Sequence, residues 1–513
     1  MAWDFERSNK RVDDERKRIE QSGISVKPLA REMDLANLSP TEARLVHGVH
    51  LYSTIENLEE LLKNDLLRRN NFRGLHRFLH VLRIEQRRII QKIFDGDKIQ
   101  VQGSKFHGLI FKPYGRDSEM AWRSVLCSVA LHQSAVKALP KVFPNYPAVV
   151  STAGLEIGNA VVANIGMRGE RELISVGRPA NYAAKISDGL TAITIGENLY
   201  SQLTKEQQLL FTAAQGVFRL DPSVLNSLED AIWDEGFIWN TASSVRNIER
   251  ETEAIPLDDI LIEEAREKID LERLGPKHAK VCVGATVFVD IDGYTRFIDS
   301  LADDVERLAK AVQLLHLFRY EWREITQCDF AAIEVQHQGD RLQALLHVPT
   351  GDEERIKERA VNLAISYNSS VEEVLSKYCE NDRPFHVAIG CDVGKVLVSR
   401  LGVRGDLDAT CIGRSTLRAE DIQIGSKGGE IGLTRKIHNA IQDESISKLF
   451  EYIDVADAYV AKGLTWTALE DAEHASAYRS ASAAVITGGG AIAFRNPMEA
   501  TERPLKVTRP WSE

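Results

Sequence analysis

In the second half of the chain the spacing of apolar residues switches repeatedly between a strand-like and a helix-like period. The run ATVFVD (285–290) is short and apolar and predicts a buried strand that ends on a carboxylate. ADDVERLAKAVQLLHLFRYEWREI (302–325) predicts a long helix. FAAIEVQHQGDRLQALLHV (330–348) predicts a strand, a Gly-containing hairpin turn and a second strand. ERIKERAVNLAISYNSSVEEVLSKY (354–378) predicts another helix. FHVAIGCDVGKVLVSRLG (385–402) alternates around its glycines and opens a strand–hairpin–helix block. Helices alternating with strands around a central hairpin predict an α+β sandwich of the ferredoxin-like type.

The same pattern runs through the first half. VQGSKFHGLIFKPYG matches HQGDRLQALLHVPTG, and GLEIGNAVVANIGMRGERELISVGR matches GCDVGKVLVSRLGVRGDLDATCIGR. Ile55 and Ile291, Gly103 and Gly339, Pro113 and Pro349, Gly154 and Gly390, and Arg168 and Arg404 all stand 236 residues apart. One register held over such a length predicts two copies of one domain. The expected organisation is an N-terminal helical segment (1–40), a first domain (41–205), a charged helical linker (206–278), a second domain (279–470) and a small-residue-rich tail (471–513).

Composition narrows the function classes. The 513 residues carry a formal net charge of −11, which opposes binding of a nucleic-acid backbone while leaving room for a local basic groove. No apolar stretch reaches eighteen residues and the start is a mixed-charge helix pattern, so no membrane span or secretory signal is expected. The six cysteines form neither a C-x-x-C pair nor a zinc spacing, which predicts free structural thiols and a cytoplasmic location.

Candidate chemistry divides between the copies. Asp290 ends a strand and Asp340 sits in a hairpin turn; in an antiparallel sheet the two could converge and hold one or two Mg²⁺ or Mn²⁺ ions carrying a triphosphate. At the same register the first copy has Thr54 and Ser104. Conversely, Asn181 and Lys185 lie four apart on one helix face in the first copy, where the second has Leu417 and Asp421. A cation and an amide so placed suit the charge of a phosphoryl transition state.

FVDIDGYT, QHQGD and GxxxGxVxxxxxGxRGxxxxxxxG resemble the class III nucleotidyl cyclase homology domain, over most of 45–205 and 280–470. The resemblance implies two tandem ferredoxin-like cyclase domains forming an intramolecular pseudo-heterodimer, with one working site at their interface. It implies Asp290 and Asp340 as metal ligands with the Ile291 carbonyl helping, Tyr294 on the substrate side, and Asn181 with Lys185 as the transition-state pair. The family places Arg where Lys185 stands, and lysine keeps the charge without the planar fork. Arg404 and Arg168 are implied as triphosphate contacts. Lys462 matches a late phosphate-binding lysine but lies in the metal-bearing copy, where a solvated surface lysine is an equal reading.

The family reads its base at positions occupied here by Gln100 and Ile174, and neither the adenine code (Lys with Asp or Thr) nor the guanine code (Glu with Cys) is present. RELISVGRPANYAAKI resembles the pyrimidine cyclases of bacterial anti-phage (Pycsar) systems. The implied reaction is UTP to cyclic UMP, with CTP or a purine nucleotide as alternatives, and a separate effector protein reading the product. A catalytically inactive nucleotide sensor on the same fold is the different-class alternative. A sensor would have no reason to keep metals in one copy and the Asn–Lys pair in the other. A kinase or P-loop NTPase is disfavoured because no G-x-x-x-x-G-K-[ST] loop occurs.

Overall fold

The computed structural model describes residues 3–29, 35, 38–39, 41–69, 72–166, 172–187, 192–301, 304–379 and 385–470. Two mixed sheets dominate it. The first contains β1 (Ser25–Pro28), β2 (Glu42–Ile55), β3 (Asp97–Gln102), β4 (Lys105–Ile110), β5 (Ser151–Ile165), β6 (Glu172–Val176), β7 (Ile193–Ile195), β8 (Phe211–Ala214) and β9 (Val217–Leu220). The second contains β10 (Leu261–Glu264), β11 (His278–Asp292), β12 (Ile333–Gln338), β13 (Arg341–Leu346), β14 (His386–Val403), β15 (Asp406–Ile412), β16 (Glu430–Leu433), β17 (Glu451–Ile453) and β18 (Ala458–Lys462). Their orders, β3-β4-β2-β5-β7-β9-β8 and β12-β13-β11-β14-β16-β18-β17, are the same path drawn twice, with β6 and β15 as matching side branches.

Nine helices matter for the site: α1 (Phe5–Ser22), α2 (Arg73–Arg87), α3 (Asp117–Gln133), α4 (Arg178–Ser187), α5 (Thr241–Ala254), α6 (Tyr294–Leu301), α7 (Val305–Glu324), α8 (Glu353–Ser369) and α9 (Arg414–Gly425). Val287, Val289 and Ile291 on one face of β11 are fully buried in a core shared with α7 and α8. Strand alternation then leaves Thr286, Phe288 and Asp290 on the opposite face.

Two of the expected boundaries are corrected by the strands. The segment 206–278 is not only a helical linker, because β8 and β9 lie within it and close the far edge of the first sheet through β7. Their turn is made by Gln215 and Gly216, both at positive φ, in a run too short to carry a strand period of its own. Likewise 1–40 holds more than a helix. β1 pairs in parallel with β2, as β10 pairs with β11, and Ser25↔Glu42 repeats as Leu261↔His278. The duplicated unit therefore begins near residue 25. The tail from 471 lies outside the described residues.

The two halves pack face to face through matched contacts. Gln100 Nε2 of β3 donates to the His337 carbonyl at 2.5 Å, and Gln336 Nε2 of β12 returns the gesture to Val101 at 3.1 Å. Buried Arg83 on α2 donates to Thr410 Oγ1 at 2.5 Å, and its counterpart Arg319 on α7 donates to the Ile165 carbonyl at 3.1 Å. These are pseudo-two-fold pairs within one chain. Helix α1 adds a strap onto the second half, where Arg11 pairs with Glu321 at 2.6 Å and with Asp329 at 3.1 Å. Among the described residues no helix is long and apolar enough to cross a membrane, and all six cysteines are free thiols.

Candidate active site

The polar face of β11 lies beneath α9. Thr286 Oγ1 is 3.3 Å from Thr416 Oγ1, and Gln423 Nε2 donates to Asp290 Oδ2 at 3.3 Å. The β11–β13 ladder sets Asp290 opposite Arg341, one residue beyond Asp340 in the hairpin turn. That turn depends on Gly339 at φ +69°, and the Ile291 N–H donates to the Asp340 carbonyl at 3.2 Å. Strand end and turn are thereby fastened together, as the sequence pattern anticipated.

Removal from water raises both carboxyls above the usual carboxylate range, and the charge of Asp290 pushes Asp340 further. Arg341 opposes the rise. It lies 4.5 Å from the centroid of the Phe288 ring and pairs with Glu420 at 2.9 Å. Among the described residues no three His, Cys, Asp or Glu side chains converge as a closed metal cage. Two repelling carboxylates with further positions left to phosphate oxygens fit a hard divalent cation carried by its substrate.

The complementary residues come from the first half. Helix α4 lies hard against β5: a Cβ on Gly154 would stand 2.3 Å from the Ala183 carbonyl oxygen. On Gly390 it would stand 2.2 Å from that of Ala419, so both crossings require glycine. Half-buried Asn181 has an Nδ2 that is out of water and without a hydrogen-bond partner. Lys185 is exposed one turn on.

The carboxyl of Asp299 on α6 is raised by burial and lowered by Arg178 and Lys185. The basic face of α4 therefore meets the helix that follows the Asp290 motif, across the interface and within one chain. Tyr294 opens α6, and its buried hydroxyl makes no hydrogen bond. Burial and then the charge of Asp340 push its pKa up, and the same two causes act on Tyr52 of β2, which stacks on His107 with centroids 4.1 Å apart. Tyr52, Asp299 and Arg341 were not singled out from sequence. For Arg341 a signal existed, since it directly follows Asp340.

Gln100 lies on β3 and Ile174 on β6, two strands of the first half that do not pair with each other. Ile174 is buried in a cluster that also contains Tyr294 and Ile298 of the second half. The amide of Gln100 is engaged with the His337 carbonyl and lies 3.5 Å from Glu172. Arg404 stands apart from these groups. It lies in the turn after β14, whereas Asp290 faces Ala388 near the start of that strand. At roughly 3.3 Å per residue, about 50 Å of strand contour separates the two positions. Arg168 lies outside the described residues. Lys462 is exposed at the end of β18, in register with Glu430.

Duplicated sheets of one topology, with a carboxylate pair in one half and an amide–cation helix in the other, make up the class III nucleotidyl cyclase fold in tandem. The same fold is found in a Pseudomonas aeruginosa structure described as a class III adenylyl cyclase-like ATP-binding protein, with a TM-score of 0.75 and 24% identity, covering 91% of this chain and 98% of that one. The chain is 28% identical over 473 residues to a Pseudomonas aeruginosa protein named uridylate cyclase, covering 88% of each. It is 25% identical over 428 residues to a uridylate cyclase of Rhizobium sp., covering 77% of this chain and 79% of that protein. No protein-family model matches. The chain carries the class III nucleotidyl cyclase fold and is related in sequence to these uridylate cyclases.

Proposed function

We propose that the chain converts UTP to 3′,5′-cyclic UMP and diphosphate in the bacterial cytoplasm, as a second messenger of anti-phage defence read by a separate effector protein. The observation that carries this reading is the division of one site between the halves. Asp290 and Asp340 are fastened together in the second, and Asn181 and Lys185 are presented from the first across α6. The relatives named uridylate cyclase and the lack of either purine code at Gln100 and Ile174 support a pyrimidine.

The ribose 3′ oxygen attacks the α-phosphorus, its proton passes to solvent water, and the bond from that phosphorus to the bridging oxygen of diphosphate breaks. Mg²⁺ or Mn²⁺ held by Asp290 and Asp340 would neutralise the triphosphate and favour the 3′ alkoxide. The Asn181 amide and the Lys185 ammonium are donors for the α-phosphate oxygens as their charge grows. Tyr294, which packs in the same cluster as Ile174, would meet the substrate beside the carboxylates.

The test is to incubate purified protein with Mn²⁺ and each of the four nucleoside triphosphates and to identify products by mass. Cyclic UMP from UTP is expected. Cyclic CMP or cyclic AMP as the main product would move the assignment to the alternative base, and no product with any nucleotide would favour the inactive sensor. Asp290→Ala and Asn181→Ala should each abolish turnover, and mixing the two proteins should not restore it. Restoration towards half of the activity would mean that the site forms between two chains.

A further inference from the structure

The basic turn that carries Arg404 has a setting of its own. It closes a cavity of about 730 Å³ at the far end of β14 from the catalytic carboxylates. Arg87, Arg88 and Lys92 enter from α2 and the turn of helix that continues it, Arg250 from α5, Lys277 from the segment before β11, and Arg404 from the second half. Glu251 is the one carboxylate among the described residues that line it. In a chain of net charge −11 so one-sided a lining stands out.

Several of these cations already have partners at the rim: Arg87 with Asp406 at 2.8 Å, Arg88 with Glu85 at 2.7 Å, and Lys277 with Asp259 at 3.2 Å. Lys92 and Arg404 are exposed and pair with no carboxylate among the described residues. The floor is apolar, made by Ile84, Ile255, Leu274 and Val403. It is held in shape where the Gly402 N–H donates to His80 Nδ1 at 3.2 Å. Burial pushes the His80 pKa down to about 4, so the ring is neutral and accepts that bond.

We propose that this cavity is a second, non-catalytic site for a nucleoside polyphosphate, with phosphates between Lys92 and Arg404 and the base on the apolar floor. The chemistry selects a small polyanion. A long nucleic acid would meet the negative field of the whole chain, whereas a compact polyphosphate meets only the local cluster. Because Lys92 belongs to the first half and Arg404 to the second, occupancy draws the two halves together at the end opposite the catalytic carboxylates. Ligand binding here is thus coupled to how the halves pair.

The experiment uses full-length Asp340→Asn protein in EDTA, which removes metal-dependent binding at the catalytic site. Calorimetric titration with inorganic tripolyphosphate at low salt should report one site, and a non-hydrolysable nucleoside triphosphate should bind it more tightly than tripolyphosphate. Lys92→Glu with Arg404→Glu should weaken both by roughly tenfold or more, as expected when two facing charges are reversed. Lys205→Glu with Lys448→Glu, an equal change of net charge elsewhere on the surface, should leave both affinities unchanged. If the glutamate pair does not fold, judged by circular dichroism, Lys92→Gln with Arg404→Gln takes its place and should weaken binding in the same direction. Absence of tripolyphosphate binding, or equal loss in the distant control pair, would overturn the site. A tripolyphosphate affinity equal to that of the nucleotide would overturn the base on the apolar floor.

Discussion

The two halves share a fold strand for strand, yet one half-site has been kept polar and its twin has been turned into core. In the second half Asp290 accepts from Gln423 at 3.3 Å; at the same two positions of the first half Thr54 Oγ1 donates to Ser187 Oγ at 3.4 Å. The hydrogen bond survives and the carboxylate does not. Facing the first half's blank site, Leu417 of α9 packs against a cluster holding Ile55, Leu58 and Leu79. Its counterpart Asn181 instead leaves a buried Nδ2 without a partner, and Tyr294 nearby leaves a hydroxyl. Unpaired buried donors are costly, so they persist where a ligand satisfies them. At these matched positions the half-sites differ in that Asn181 leaves a buried donor unpaired where Leu417 packs against apolar neighbours.

The sharpest break in that comparison is removal of one carboxylate. Asp340→Asn keeps the size of the side chain and should reduce turnover to background with every nucleotide. Its melting temperature without ligand should hold or rise. Both carboxyls titrate above their ordinary range in the fold, so the stability tied to them is present at low pH and is lost as pH climbs through the raised values. Near neutral pH the pair therefore costs stability, and the amide relieves it. Full activity in Asp340→Asn would dissolve the distinction between the halves.

Next in size are the transition-state residues. Lys185→Ala should lower kcat by about 10²–10³ with KM for UTP little changed, because its donor acts mainly as charge develops on the α-phosphate. Lys185→Arg, restoring the residue usual in the family, should keep substantial activity. Asp421→Ala, the matching change in the blank half-site, should leave kcat nearly intact. Steady-state kinetics on the three variants would reverse the roles of the halves if Asp421→Ala were the crippling one.

How much of this was legible beforehand follows from what each signal requires. Asp290, Asp340, Asn181 and Lys185 stand out because the duplication supplies an internal comparison: each proposed site residue faces one of different chemistry at a fixed spacing. The strands β1, β8 and β9 were missed because four-residue elements carry too little alternation to show a period, and only pairing to β2 and β7 makes them strands. Tyr52 and Asp299 were missed for a related reason. Each feels charges of the other half across the interface, and nothing local in the sequence marks the partner. Arg404 was read from its turn motif, but the ladder carries that turn away from the carboxylates.

A milder effect tests the filled half-site. Leu417→Ala removes apolar surface from a partly buried position and should cost about 1–2 kcal/mol of stability while leaving kcat unchanged. Asn181→Ala should do the reverse, abolishing turnover with little effect on stability. Thermal melts and kinetics on the two variants would place them on opposite axes; a loss of kcat in Leu417→Ala would mean that the blank site still contributes to catalysis.

The smallest expected difference concerns Glu172 and its counterpart Asp408, both at the interface. Asp408 pairs with Lys98 at 2.8 Å. Glu172 pairs with Arg319 at 3.2 Å but also faces Glu334, because the position matching Lys98 in the second half is an acid. Burial first, with Glu334 and Asp408 adding to it, pushes the Glu172 carboxyl up to about 7, and Arg319 only partly opposes. The folded value lies above the unfolded one, so the neutral acid is favoured by the fold and the associated stability is lost as pH rises through about 7. Glu172→Gln keeps the shape and an acceptor for Arg319 and never ionises. Its melting temperature relative to wild type should therefore be a degree or two higher, about 2 °C, near pH 8 and should converge with wild type below about pH 5. Differential scanning fluorimetry across that range would decide it. A gap that stayed constant with pH, or that opened in favour of wild type at high pH, would mean that the Arg319 pair outweighs burial and that this corner of the interface is as well matched in the first half as in the second.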